Sequence, residues 1–191
     1  LVIFDWDDTL FPTSWCISNK INFSMGNVTN YIDTFEVLDG ALYKLFSKYC
    51  QYTNVVIVTN ATVKWVEMTL GVLPNTRSYI VNKVPIISAR DENYNIYPEN
   101  MEYWKITTFK KIDTQYIQGN RNIVSVGDAE YEYYALANLF DANALNGKKY
   151  LKTIKFLKNP SYNMLIEEIN ITNDLLYDII NDKSHMDLNV Y

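Results

Sequence analysis

Histidine occurs once, at His185, cysteine twice, at Cys16 and Cys50, and arginine three times in 191 residues. A single histidine, in a polar stretch near the end, is poor material for a histidine-dependent hydrolase or a His-rich zinc site. Two cysteines are too few for a disulfide framework and read as reduced thiols of a reducing compartment. No apolar run approaches the roughly 18 residues of a membrane span, and no secretory leader is visible. The expected location is therefore intracellular, cytoplasmic or nuclear, with no membrane partner. Glycine and proline are sparse too, at six and five, which sets aside collagen-like and low-complexity chains. Basic charge is in deficit, with 17 Lys and Arg against 22 Asp and Glu. That disfavours nucleic acid as a partner, because a broad basic face is missing. The chain has no initiator Met and opens directly on an apolar strand, as a piece of a longer protein with partner domains would.

What is present is a 48% hydrophobic chain of a length suited to one domain, residues 1–191. Continuous apolar runs at 1–4, 55–58, 84–88 and 123–126, with a fifth candidate at 152–157, read as buried strands. Helical periodicity separates them: a helix capped by Asp39, then segments near 61–70, 102–117, 130–139 and 162–181. Residues 11–37 read as an irregular, aromatic flap and 183–191 as a polar tail. The alternation predicts an α/β, Rossmann-like doubly wound fold: a mostly parallel five-stranded sheet with helices on both faces. Sites in such sheets lie beyond the carboxyl ends of the strands, so the residues just after each strand matter most.

After the first strand come Asp5-Trp6-Asp7-Asp8-Thr9-Leu10. Alternation puts Asp5 and Asp7 on one side. Two neighbouring carboxylates repel, and they need a cation, a shared proton or catalytic work to justify them. The second strand ends in Thr59-Asn60, and the fourth in Gly127-Asp128 with Glu132 one helical turn on. Lys105 stands near the start of the helix before the fourth strand; Lys83, Lys110 and Lys111 are the other lysines weighed for its place. Taken singly these residues are ordinary caps, turns and solvated charges. Taken jointly they bring carboxylates, a hydroxyl and an ammonium to one crevice.

The motifs resemble those of the haloacid dehalogenase superfamily, many of whose members are magnesium-dependent phosphatases. Asp5, Asp7 and Thr9 match its first motif, Thr59 its second, Lys105 its third, and Gly127, Asp128 and Glu132 its fourth, with Glu132 in place of the commoner Asp. The stretches 5–10, 87–90 and 152–157, with Trp104-Lys105, are similar to a branch of that superfamily found in protists, plants and large DNA viruses. The resemblance implies that Asp5 is the nucleophile that forms an aspartyl-phosphate and Asp7 the general acid and base. Mg²⁺ would be held by the Asp5 and Asp128 carboxylates and the Asp7 backbone carbonyl. Thr59 and Lys105 would bind phosphoryl oxygens, as such chemistry requires. Thr9, Asn60, Gly127 and Glu132 would surround this set, with Glu132 orienting a metal-bound water or Lys105.

Thr9 to Thr59 spans 50 residues and Thr59 to Lys105 spans 46, which leaves no room for a large cap domain. Segments 11–37 and 90–103 can form a flap and a second loop. An open site suits a bulky phosphoester such as a phosphoprotein. A polynucleotide 3′-phosphatase and a non-enzymatic phosphoryl-binding or scaffold domain are the alternatives. Phe11, Trp15 and Phe23 are expected to pack the flap onto the sheet rather than meet substrate. Lys148, Lys149, Lys152, Lys155 and Lys158 read as lysines protecting a strand near the sheet edge.

Overall fold

Strand parity organises the molecule, seen here in a computed structural model that describes residues 1–23, 27–116, 122–143 and 149–191. The central strand β1 (Val2–Phe4) turns Val2 and Phe4 toward one core and Leu1 and Ile3 toward another. After β1 come α1 (Thr13–Ser18), a 3₁₀ turn at Asn27–Tyr31, and α2 (Ile32–Tyr49). Next are β2 (Val55–Thr59), α3 (Val63–Leu70), α4 (Pro74–Ile80), β3 (Ile86–Ser88), α5 (Ala89–Asn93) and α6 (Met101–Tyr116). The chain closes with β4 (Asn122–Gly127), α7 (Glu130–Asn143), β5 (Tyr150–Lys155), α8 (Tyr162–Asn181) and β6 (Met186–Asn189).

All five strand pairings are parallel, in the order β3-β2-β1-β4-β5-β6. The chain winds outward from β1 through β2 to β3, then returns to β1's other side with β4. The reversal leaves a crevice at the carboxyl ends of β1 and β4, the place where doubly wound sheets bind ligands. Buried side chains of α2, α3 and α8 join Val2, Phe4, Val55, Ile57, Val124 and Val126 in the larger core. Those of α6 and α7 join Leu1, Ile3, Val56, Val58 and Ile123 in the smaller one. Helices thus cover both faces, as the alternation of apolar runs predicts.

Four readings need correction. The sheet has six strands, not five, because residues 186–189 of the expected polar tail form β6 beside β5. Met186, Leu188 and Val190 alternate onto the larger core while Asp187 and Asn189 face out, and the intervening polar residues hide that period-2 signal. β5 is consequently covered by β6, and its lysines do not guard an edge. Lys152 is buried and donates to Asn122 Oδ1 at 2.8 Å, to the Asp182 carbonyl at 2.7 Å, and to the Ile179 carbonyl. It closes the carboxyl end of α8, where unsatisfied carbonyls attract a cation. Lys149 pairs with Asp113 at 2.7 Å and Lys155 with Glu130; Lys148 lies outside the described residues.

Segment 11–37 is largely helical, and it packs down. Phe11 stacks on Trp6 and Phe35 at 6.0 and 5.8 Å, and Phe23 meets Phe35 and Trp65. Trp15 packs against Tyr31, Phe35 and Tyr162, as the packing expectation for these three aromatics has it. Asp39, finally, does not start a helix. It is buried in the middle of α2 and caps α4, accepting from the Asn75 and Thr76 main-chain N–H groups at 2.9 and 2.7 Å.

Candidate functional site

Asp5 follows β1 with the parity of Ile3, so its side chain joins the face covered by α6 and α7. Its N–H continues the ladder to the Val126 carbonyl at 2.9 Å. Lys105, in the second turn of α6 and 1% exposed, extends beneath it with Nζ 2.8 Å from Asp5 Oδ1. The same ammonium is ion-paired to Glu132 Oε1, from the first turn of α7. Glu132 Oε2 accepts the Ala129 N–H at 3.1 Å. Burial would weaken a lone ammonium, but Asp5 and Glu132 outweigh it and hold Lys105 above the ordinary lysine range. The other lysines weighed for this place lie elsewhere. Lys83 sits over the Tyr79 ring, Lys111 pairs with Glu92, and Lys110 is exposed.

Gly127 makes this arrangement possible. A Cβ there would lie 2.3 Å from Glu132 Cγ, a distance no carbon pair tolerates, so Glu132 reaches Lys105 only across a glycine. Asp128 follows at the end of β4. Oxygens of Asp5, Asp128 and Glu132 lie within 4.8 Å of one another. One lysine faces three carboxylates, and the excess shows at Asp128. Burial, followed by repulsion from Asp5, Glu132 and Asp8, pushes its carboxyl up to about 8.

Beyond Asp5 the chain turns sharply. The Trp6 carbonyl accepts from the N–H groups of Leu10 and Phe11, both at 2.9 Å. Asp8 takes the left-handed conformation at φ 51°, rare for a residue with a side chain. Its carboxylate accepts from the Ser14 N–H at 2.8 Å and from the Ser14 hydroxyl, tying the turn to α1. Thr9 is buried within the turn.

Asp7 meets a different environment. Its Oδ1 accepts from Thr13 Oγ1 at 2.5 Å and from Trp65 Nε1 at 2.8 Å. Burial raises its proton affinity; Thr13 and Trp65 oppose the rise and Asp5 adds to it. Asp7 adds no carboxylate oxygen to the acidic trio, so only its main-chain carbonyl remains for the metal role expected of it. Thr59, buried at the end of β2, accepts the Ala61 N–H at 2.9 Å through Oγ1; its hydroxyl proton is still available for donation. The Asn60 amide donates to the Met101 carbonyl at 3.3 Å.

Sequence reasoning missed Asp8, Thr13 and Trp65. Asp8 was legible as a polar residue in the turn, but Thr13 and Trp65 reach Asp7 only through tertiary folding. Cys16 is buried, which pushes its thiol up to about 12 and makes it unreactive. Among the described residues no helix is long and apolar enough to cross a membrane. Comparison with protein-family models, curated proteins and solved structures finds no match to this chain.

Proposed function

We propose that this chain is a magnesium-dependent phosphatase that hydrolyses a phosphomonoester through an aspartyl-phosphate on Asp5. The observation that carries the reading is the buried ion pair of Lys105 with Asp5 at the β1–β4 crevice, beside Asp128 and two residues from Asp7. The motif resemblance to haloacid dehalogenase phosphatases supports the same assignment.

Asp5 is a weak base, but a carboxylate nucleophile needs no activating partner, and the Lys105 ammonium lies 2.8 Å away. Its carboxylate attacks phosphorus, a P–O bond to Asp5 forms, and the bond to the leaving oxygen breaks. Asp7 delivers its proton to that oxygen. It then takes a proton from the water that hydrolyses the acyl phosphate, releasing inorganic phosphate and restoring both carboxyl groups. Lys105 and the Thr59 hydroxyl hold phosphoryl oxygens, the positioning and charge compensation on which phosphoryl transfer depends.

The residues fit a hard divalent cation. Their donors are oxygens, their negative charge exceeds what Lys105 offsets, and the Asp128 carboxyl reports that excess. Glu132 spends both its oxygens on Lys105 and the Ala129 N–H. Asp5, Asp128 and the Asp7 carbonyl therefore remain to hold Mg²⁺, which supplies positive charge against the phosphoryl oxygens when bound.

The test is hydrolysis of an aryl phosphate. Activity is expected with Mg²⁺ and lost in EDTA, and Asp5→Asn should abolish turnover. Asp7→Asn should let labelled phosphate accumulate on Asp5. Full activity in metal-free buffer, or label recovered on Ser, Cys or His, overturns the reading. Phosphate binding without turnover favours a scaffold domain.

A further inference from the structure

The segment from α5 to the start of α6 carries five large side chains that the fold leaves in solvent. Tyr94 and Tyr103 are each 46% exposed, Ile96 65%, Tyr97 36% and Met101 50%. Contiguous exposed apolar side chains on a soluble protein commonly mark an interaction site. These sit at the mouth of the crevice. Met101 and Lys105 are about one helical turn apart on the same face of α6, so Met101 stands about 6 Å outward along the helix from the buried lysine. The Asn60 amide reaches the Met101 carbonyl from the end of β2.

The lip is also held in shape. Asn93 donates to the Ala89 and Trp104 carbonyls and to Thr108 Oγ1, at 2.9, 3.3 and 3.1 Å. The Trp104 indole donates to the Tyr97 carbonyl at 2.7 Å. The Tyr97 and Tyr103 rings lie 5.4 Å apart. Tyrosines fixed on an ordered support lose little entropy on binding and supply large contact area.

Charge narrows the partner. Residues 90–102 carry one cation, Arg90, against four carboxylates, Asp91, Glu92, Glu99 and Glu102, of which Glu92 pairs with Lys111 at 3.1 Å. A nucleic-acid backbone is repelled by such a rim, although tyrosines alone could stack on bases. We propose that this lip docks an extended phosphorylated segment of a protein substrate. Its apolar side chains would lie on Tyr97, Met101 and Tyr103, and a lysine or arginine would face Glu99 and Glu102. The proposal rests on the phosphatase reading and gives it a substrate class.

The experiment uses the full chain with Asp5→Asn, to hold substrate without turnover, and fluorescence anisotropy. Three probes are compared: a phosphoserine peptide with leucine and lysine flanks, the same peptide with glutamate for lysine, and a 3′-phosphorylated oligonucleotide. The lysine peptide is expected to bind tightest. Adding Tyr97→Ser and Tyr103→Ser should weaken it by about tenfold or more, the loss typical of a truncated interface aromatic. Adding Glu99→Lys instead should reverse the order of the two peptides, a switch that misfolding cannot imitate.

Equal binding of the peptides, or preference for the oligonucleotide, overturns the proposal. So does concentration-dependent self-association of the unmodified chain that the tyrosine substitutions abolish, because a second copy then covers the lip. Aryl phosphate hydrolysis by the unmodified chain separates the two readings. If it proceeds while peptide binding ignores the lip, the docking proposal fails and the phosphatase stands. If it is absent while the lysine peptide still needs the lip, the enzyme reading fails and the lip remains a phosphopeptide-binding surface.

Discussion

Asp5 and Asp7 leave the same strand two residues apart, yet they settle in opposite surroundings. Asp5 lies on the α6–α7 face, against the ammonium of Lys105 at 2.8 Å and near two further carboxylates. Asp7 turns toward the aromatic side, where a hydroxyl and an indole N–H, both neutral, are its hydrogen-bond donors. A carboxylate beside a buried cation has a positive charge at hand to offset an approaching phosphoryl group, which suits a nucleophile. One held by neutral donors, buried and near another anion, keeps a proton more readily, which suits an acid and base. Identical residue types thus acquire different surroundings from the face on which their neighbours sit.

The charged side should break hardest. Lys105→Ala leaves Asp5 and Glu132 buried without their cation. Loss of one such contact typically costs about 3 kcal/mol of transition-state stabilisation, or roughly 10²-fold in rate. Excess Mg²⁺ should not recover it, because a cation held by Asp5 and Asp128 would not replace the ammonium between Asp5 and Glu132. Lys110→Ala, at an exposed position on the same helix, should keep the parent rate. Glu132→Gln should be milder, since it removes one of two anions that fix Lys105. Aryl phosphate kinetics across a Mg²⁺ titration check all three. A dead Lys110→Ala beside an active Lys105→Ala would reverse the assignment.

The neutral side should break more gently and in a different manner. Trp65→Phe keeps the ring against Phe11 and Phe23 but removes the donor to Asp7. Losing a hydrogen bond to a charged group costs about 1.5–2 kcal/mol, roughly 20-fold. The loss should concentrate on substrates with poor leaving groups, which need a proton from Asp7, and nearly vanish for activated aryl phosphates. A plot of rate against leaving-group pKa for the parent and Trp65→Phe is the measurement. Parallel lines would mean that Trp65 does no more than pack.

The positions of Asp5 and Asp7 could be read beforehand, but the contrast between them could not: alternation put both on one side, and the turn through Asp8 separates them. Asp5, Thr59 and Asp128 were legible because each stands at or just beyond the end of a continuous apolar run, and Lys105 because it stands near the start of the helix before β4; a parallel sheet gathers such positions at one end. Trp65 was not, because its partner is 58 residues away and nothing local distinguishes an indole that binds a carboxylate from one that fills a core. Asp39 was misread for the same reason: the helix end it caps belongs to α4, 36 residues on. β6 was lost because Asp187 and Asn189 dilute an apolar alternation of three residues. Lys152 read as a lysine protecting a strand near the sheet edge, since no sequence signal announces a lysine bonded to carbonyls at a helix end.

The smallest effect separates the acidic trio from the rest of the molecule by pH. In the metal-free chain the Asp128 carboxyl is pushed up to about 8, first by burial and then by Asp5. A carboxyl raised in this way binds more protons folded than unfolded. Its contribution to stability is complete below about pH 4 and is lost as pH rises through about 8. Glu168, a buried residue of α8 with Oε1 accepting the Leu157 N–H at 2.6 Å, is pushed up to about 7 by burial and has the same sign. One such proton is worth at most about 1.4 kcal/mol per pH unit. The melting temperature should therefore fall by about 2–4 °C per group between roughly pH 6.5 and roughly pH 7.5. A cation held by Asp5 and Asp128 takes only the deprotonated form, so Mg²⁺ should stabilise the chain more at the higher pH. Asp128→Asn should remove that Mg²⁺-dependent part. Glu168→Gln should flatten the metal-free slope and leave the Mg²⁺ response intact, because Glu168 lies across the sheet from the trio. Melting curves at both pH values, with and without Mg²⁺, decide the matter. A Mg²⁺ shift that is equal at the two pH values, or that survives Asp128→Asn, puts the cation somewhere other than between Asp5 and Asp128.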